Sequence, residues 1–117
     1  DPVAAVHRLA GTIGHVHAKD AFIHDEVARV DGLFDTSPLG AVETRGWSYR
    51  TVGWGHDERF WRGFLGALRL AGYDDVVSIE HEDALLAREE GLRQAAELLR
   101  PMLPRRPREK AWWDEGM

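Results

Sequence analysis

The stretch TIGHVHAKD, Thr12 to Asp20, alternates apolar with polar residues, and its polar members include two imidazoles, an ammonium and a carboxylate. A period of two over so short a run predicts a half-buried β-strand across Thr12 to Lys19. Side chains two apart share a face, so Ile13, His15, His17 and Lys19 are expected on one side and Gly14, Val16 and Ala18 on the other. A second run, VVSIEHED from Val76 to Asp83, repeats the logic, with Val77 and Ile79 on one face and Ser78, Glu80 and Glu82 on the other. Two such strands with a helix between them predict an α/β wall of a parallel barrel around a polar centre. Chemistry in such barrels gathers at the C-terminal ends of the strands, where His17 and Glu80 fall.

Length sets a bound on that reading. A complete (β/α)8 barrel takes about 250 residues, whereas this chain has 117 and opens on Asp1-Pro2 without a methionine. The expectation is the C-terminal part of a longer protein. Fifteen basic residues against twenty acidic ones, a net charge of −5, argue against nucleic acid or an anionic membrane as partner. The absence of cysteine excludes disulfides, thiolate metal sites and a cysteine nucleophile. No apolar run nears the roughly 20 residues of a membrane span and no signal peptide is visible, so a cytoplasmic location is expected.

Around the two strands the pattern is helical. Residues 1–10 predict a short helix capped by Asp1, with Pro2 at its first position, an apolar stripe of Val3, Val6, Leu9 and Ala10, and Gly11 as its stop. Residues 57–72, DERFWRGFLGALRLAG, predict the clearest helix, capped by Asp57 and ended by Gly72. Its expected buried stripe is Phe60, Trp61, Phe64, Leu65, Leu68 and Ala71, and Gly63 and Gly66 suggest close packing on a strand. A last helix is expected from Ala87 to Arg100, with Leu92, Ala95, Ala96 and Leu99 inward and Pro101 as stop. Between Asp20 and Asp57 turn signals dominate while aromatic residues recur, which predicts an ordered loop over the mouth of a site. Residues 1–103 thus form the barrel segment, and 104–117 a polar tail whose Trp112 and Trp113 are expected to dock on the body.

His17 and Glu80 are the leading candidates for chemistry. Imidazole at the polar end of a strand suits a divalent metal, and an inward carboxylate flanked by Val77 and Ile79 needs a cation, a metal or a proton. A plain salt bridge between Glu80 and Lys19 is the competing reading. His15, one pleat deeper, is expected to orient its neighbour. Lys19 and Asp20 at the strand end, and Arg50 and His56 in the following loop, are candidate substrate-binding residues for a sugar or polyol. Glu82 and Asp83 are expected to open the next loop and helix.

HVHAKD, then YRTVGWGHDERFWRGFLGALRLAGYDDVVSIEHED, EEGL and a closing AWW, resemble the C-terminal part of the sugar phosphate isomerase/epimerase family, the xylose-isomerase-like TIM barrels. The resemblance runs from Asp1 to about Trp113 and implies helix 6, strand 7, helix 7, strand 8 and helix 8 of such a barrel. In the epimerases of that family one divalent metal (Mn, Co, Mg or Zn) is held by two glutamates, an aspartate and a histidine. By motif, His17 matches the metal histidine of strand 7, and Glu80 the metal glutamate and one acid/base carboxylate of strand 8. The remaining ligands would lie upstream of Asp1. The implied activity is isomerisation or epimerisation by proton transfer beside a carbonyl, in carbohydrate metabolism. The substrate-contacting arginine of the ketose epimerases falls here on Ile23, which leaves Arg50 or Lys19 to substitute and keeps an inosose dehydratase-like lyase open.

Two further expectations complete the sequence reading. An isolated chain with two strands would be inactive and would present open sheet edges, so it is expected to form a homo-oligomer or to associate with a complementing N-terminal barrel portion. A cupin-like metal site built on His15 and His17 is disfavoured by the two long amphipathic helices.

Overall fold

The computed structural model describes residues 1–114. Helix α1, Pro2–Arg8, starts where expected: Asp1 Oδ1 accepts from the backbone N–H of Val3 at 2.9 Å and of Ala4 at 3.3 Å, and Pro2 fills a position whose N–H would have no partner. Gly11, at φ +82°, turns the chain toward strand β1, Val16–Ala18. This strand is shorter than the alternating run, and Ile13 packs against the core instead of joining the imidazole face. The cause is pairing: the register is Val16 with Val77, His17 with Ser78 and Ala18 with Ile79, in parallel, and it leaves residues 12–15 outside the ladder.

Asp20 to Asp57 is not the single loop expected. Strands β2, Asp20–Ile23, and β3, Trp47–Arg50, pair antiparallel, with Asp20 opposite Arg50 and Ile23 opposite Trp47. Between them lies helix α2, Asp25–Asp31, with Asp25 and Glu26 in its positive first turn and Gly32 at φ +77° as its stop. Dense turn signals hide these elements from a periodicity reading, because each is under two turns or four residues long. None of the α2 residues is buried. The connection back to β3 is fixed by Arg45, only 1% exposed, which donates from Nη1 to the Ser37 carbonyl at 2.6 Å and from Nε to the Trp47 carbonyl at 3.2 Å. Its guanidinium also lies 4.9 Å from the Trp47 ring centre.

Helix α3, Glu58–Leu70, is the crossover between β1 and strand β4, Val77–Ile79. Asp57 caps it by accepting from Phe60 N at 2.9 Å. Gly72, at φ +80°, ends it with paired bonds from Gly72 N to the Arg69 carbonyl and from Tyr73 N to the Leu68 carbonyl. The buried stripe is Trp61, Leu65, Ala67 and Leu68, with Phe60, Phe64 and Ala71 partly covered. Gly63 and Gly66 face open space, so the close strand packing expected of them is absent. These α3 residues meet Val6, Val16, Ala18 and Val52, and Ala95 and Leu99 of helix α4, Arg88–Leu99.

On α4 the inward face is rotated from that expected. Gly91 is buried and Leu92 is exposed, because a side chain at Gly91 would collide with the His81 ring. The chain then passes through a 3-10 turn at Arg100–Met102 into the tail, where Trp112 and Trp113 stack edge to face on each other at 5.6 Å and stay exposed instead of docking. The last three residues of the expected tail lie outside the described residues. The fold is therefore mixed α/β with two separate two-stranded sheets, and the described residues close no barrel. Its radius of gyration, 17.2 Å, exceeds the roughly 13 Å of a compact chain of this length. No described helix is long and apolar enough to cross a membrane.

Candidate functional site

The parallel β1–β4 pair has two unlike faces. Val16, Ala18, Val77 and Ile79 pack toward the helices. The opposite face carries His15, His17, Lys19, Ser78 and Glu80; His15 and His17 are exposed, and Tyr49 of β3 lies against Lys19 at its C-terminal end. In-register pairing places Ser78 between the imidazoles: its Oγ lies 2.9 Å from His15 Nε2 and 2.7 Å from His17 Nδ1. The hydroxyl also lies 3.4 Å from the Val16 carbonyl, so its one proton goes to that oxygen or to one ring while its lone pairs accept from ring N–H groups. His17 Nε2 has no hydrogen-bond partner among the described residues, which leaves it available as a donor atom. The two rings meet edge to face at 4.9 Å.

One pleat toward the C-terminal end, the bond from Glu80 N to the Ala18 carbonyl, 3.0 Å, carries the ladder beyond β4. Lys19 Nζ reaches Glu80 Oε1 at 3.0 Å and Glu82 Oε1 at 2.9 Å, and sits 4.0 Å from the centre of the Tyr49 ring. The salt bridge weighed against metal ligation is thus formed. The Lys19 hydrogen bond holds the Glu80 carboxyl below its ordinary value against a small desolvation effect, and the charges of Lys19 and His17 add to it. Lys19 is raised: desolvation lowers it, but the bonds and charges of Glu82 and Glu80 outweigh that.

Asp20, Arg50 and His56 are elsewhere. Alternation turns Asp20 away from Lys19 and toward the helices, where it is 2% exposed. Its Oδ2 accepts from Gly53 N at 3.0 Å, Gly55 N at 3.1 Å, His56 N at 2.9 Å and Trp61 Nε1 at 3.2 Å. Its Oδ1 accepts from Ala21 N at 3.0 Å and lies 2.6 Å from His56 Nδ1. Burial pushes this carboxyl up, yet the His56 side-chain bond and the backbone N–H groups bring it below the usual aspartate value. A carboxylate with six donors has no lone pair to spare for substrate, so Asp20 organises the 53–56 turn. His56 stacks on Phe60 at 4.2 Å, on this outer side and not on the polar face. Arg50 donates from Nε to Asp83 Oδ2 at 3.2 Å and lies 5.3 Å from the Trp54 ring, a brace between β3 and the loop after β4.

Sequence reasoning missed three participants. Ser78 was placed on the polar face without a role, and its register opposite His17 makes it the link between both imidazoles. Tyr49 joins through β3, whose existence the turn signals concealed. Asp83, expected only to open a loop, has a buried side chain that accepts from Thr51 N at 2.7 Å and from Leu85 N at 2.7 Å besides Arg50. A carboxylate one residue past the polar face alternates inward, which is the signal that marked it. Among the described residues no group of three or more His, Asp or Glu side chains converges to hold a metal. His17 and Glu80 lie on the same face, one an imidazole and the other a carboxylate bonded to Lys19.

No family model matches the chain. It is 36% identical over 100 residues to the uncharacterized protein YfiH of Bacillus subtilis (strain 168), an alignment covering 86% of this chain and 32% of that protein. The chain therefore spans about a third of the length of the curated relative it matches.

Proposed function

We propose that this chain is the C-terminal part of a xylose-isomerase-like barrel belonging to a cytoplasmic, metal-dependent sugar or sugar phosphate isomerase or epimerase. The observation that carries the reading is the parallel β1–β4 pair joined through α3, which sets His17 and Glu80 on one polar face. β1 and β4 are then strands 7 and 8, and the open edges of the pair are where the rest of the barrel joins. His17 Nε2 and the Glu80 carboxylate are two of the four metal ligands; when bound, the metal supplies polarisation of a carbonyl oxygen.

The chain's own residues do the rest. Glu80, held below its ordinary value by the Lys19 hydrogen bond, is the carboxylate placed to accept a proton from the carbon beside a carbonyl. Ser78 holds the His17 ring through Nδ1 and so aims Nε2. Lys19, at the C-terminal end of the same face, is the cation that would bind a sugar oxygen or phosphate. The same groups serve a lyase of the inosose dehydratase type, which removes water after the same proton abstraction.

A second reading, a non-catalytic partial barrel, is favoured by one observation: Lys19 already satisfies Glu80. Deuterium uptake from D2O separates the two. With the remaining strands supplied in the same or a second chain and Mn²⁺ added, a keto-sugar should exchange the hydrogen beside its carbonyl, and Glu80→Gln should abolish that exchange. Exchange that is absent with every keto-sugar tried, or unaffected by Glu80→Gln, overturns the enzymatic reading.

A further inference from the structure

The β2–α2–β3 excursion is ordered, yet its outer surface is apolar. Arg45 and the Asp35–Ser37 turn lock its backbone, with Ser37 Oγ donating to Asp35 Oδ1 at 2.6 Å. Val30, Leu33, Phe34 and Leu39 nevertheless stand in solvent, Phe34 completely so. Helix α2 has seven residues and no buried side chain, although isolated helices below about 12 residues are marginal in water. Residues 24–44 also hold five acidic groups against the single basic Arg29.

The tail has the complementary character. Residues 105–110 hold four basic groups against the single acidic Glu109; Trp112 and Trp113, which are 77% and 65% exposed, follow, and the acidic Asp114 and Glu115 come after them in the sequence. Exposed tryptophans beside arginines are the composition that protein interfaces select. The tail is anchored at the other end of the strands from its own excursion. Leu103 to Arg108 line a cleft of about 420 Å³ with Tyr73 to Asp75, the turn that leads into β4, and Arg69 Nη2 holds the Arg106 carbonyl at 2.9 Å. The excursion leaves from the opposite, C-terminal end of β1. The molecule is 59 Å long against 29 Å and 24 Å in the other directions.

We infer that two copies of this chain associate antiparallel, the basic tail and tryptophans of each lying on the acidic, apolar excursion of the other. A two-fold pair of this kind makes the contact twice and closes on itself. It requires neither the β1–β4 face nor any catalytic reading of it.

Sedimentation of the full chain from micromolar to millimolar concentration tests this. Wild type should sediment at twice the monomer mass at low salt and dissociate toward monomer at 1 M salt, where the screening length falls to about 3 Å. The excursion variant Glu26→Lys/Asp31→Lys/Glu43→Lys and the tail variant Arg105→Glu/Arg106→Glu/Arg108→Glu, all at exposed positions, should each be monomeric with wild-type circular dichroism. Mixed in equal amounts they should form a heterodimer, because each then offers the charge the other lacks. A wild type that is monomeric throughout, or dimeric alike in both salts, overturns the inference. So does a mixture of folded variants that stays monomeric.

Discussion

The ends of two paired strands hold acidic groups in opposite ways, Asp20 just past β1 and Glu80 just past β4. On the helix side, Asp20 is 2% exposed and accepts from six donors that belong to the 53–56 turn, Ala21 and Trp61. On the open side, the Glu80 side chain is 42% exposed and held by one cation, Lys19. Both carboxyls are depressed, but the causes differ in kind: fixed backbone dipoles and a histidine for Asp20, a movable ammonium for Glu80. A saturated carboxylate builds the fold, and a lightly held one is free to exchange its partner. Depressed titration alone does not distinguish them; the number and rigidity of the donors do.

The sharpest way to break that contrast is Asp20→Ala. It strands several buried donors at once, each worth about 1–3 kcal/mol when left unpaired, so the loss of stability should exceed about 4 kcal/mol. An unchanged urea midpoint would remove the distinction between the two sides. Asp83→Ala comes next, at about 2–3 kcal/mol, since it frees Thr51 N, Leu85 N and the Arg50 guanidinium. Acid should reveal the same groups. Both aspartates are lowered on folding, so the unfolded chain binds protons more readily and their contribution is present above the usual aspartate value of about 3.9. It is lost as pH falls through the folded values, and the urea midpoint of each alanine variant should fall less steeply in acid than that of wild type. Lys19 has the opposite sign: raised on folding, its contribution is present below about 10.4 and lost as pH climbs through the folded value.

Glycines give a smaller and cleaner comparison. A Cβ at Gly55 would strike the Ala21 carbonyl and lie 2.5 Å from Asp20 Oδ1, so Gly55→Ala must disturb the Asp20 side. Gly63 is helical with nothing within 4 Å of the added carbon, and Gly63→Ala should stabilise the chain by about 0.5–1 kcal/mol. Thermal melts of the two variants should move in opposite directions.

What could be read in the residues follows the range of the forces involved. Asp1, Asp57 and Gly72 act within one turn of their own position, and the helix ends they predict stand where expected, whereas α1 stops at Arg8, short of Gly11. The two apolar strand faces were legible because alternation is local. Strand length was not, since β1 ends where β4 ceases to pair, 61 residues along the chain. The excursion is hidden for a related reason: β2 and β3 are stabilised by each other across 23 intervening positions, and neither carries a pattern long enough to announce itself. In the candidate site, His17 and Glu80 share the face expected of them, whereas Asp20 and His56 bond each other away from it, which composition does not reveal because it marks a group as chemical without counting its donors.

The smallest effect on stability should come from the residues with the largest proposed role. His17 and Glu80 are partly exposed, so His17→Ala and Glu80→Gln should lower the urea midpoint only slightly, by what a solvent-exposed hydrogen bond or ion pair supplies. Manganese binding should respond instead. With half a ligand set the chain should bind Mn²⁺ weakly, as read by electron paramagnetic resonance of the free ion, and either substitution should remove that binding. Lys19→Met sharpens the test, because the ammonium and the metal compete for the same oxygen. If Glu80 is a ligand, removing its competitor should tighten Mn²⁺ binding. If the ion pair is all that the open face provides, Lys19→Met, His17→Ala and wild type should give one and the same titration curve.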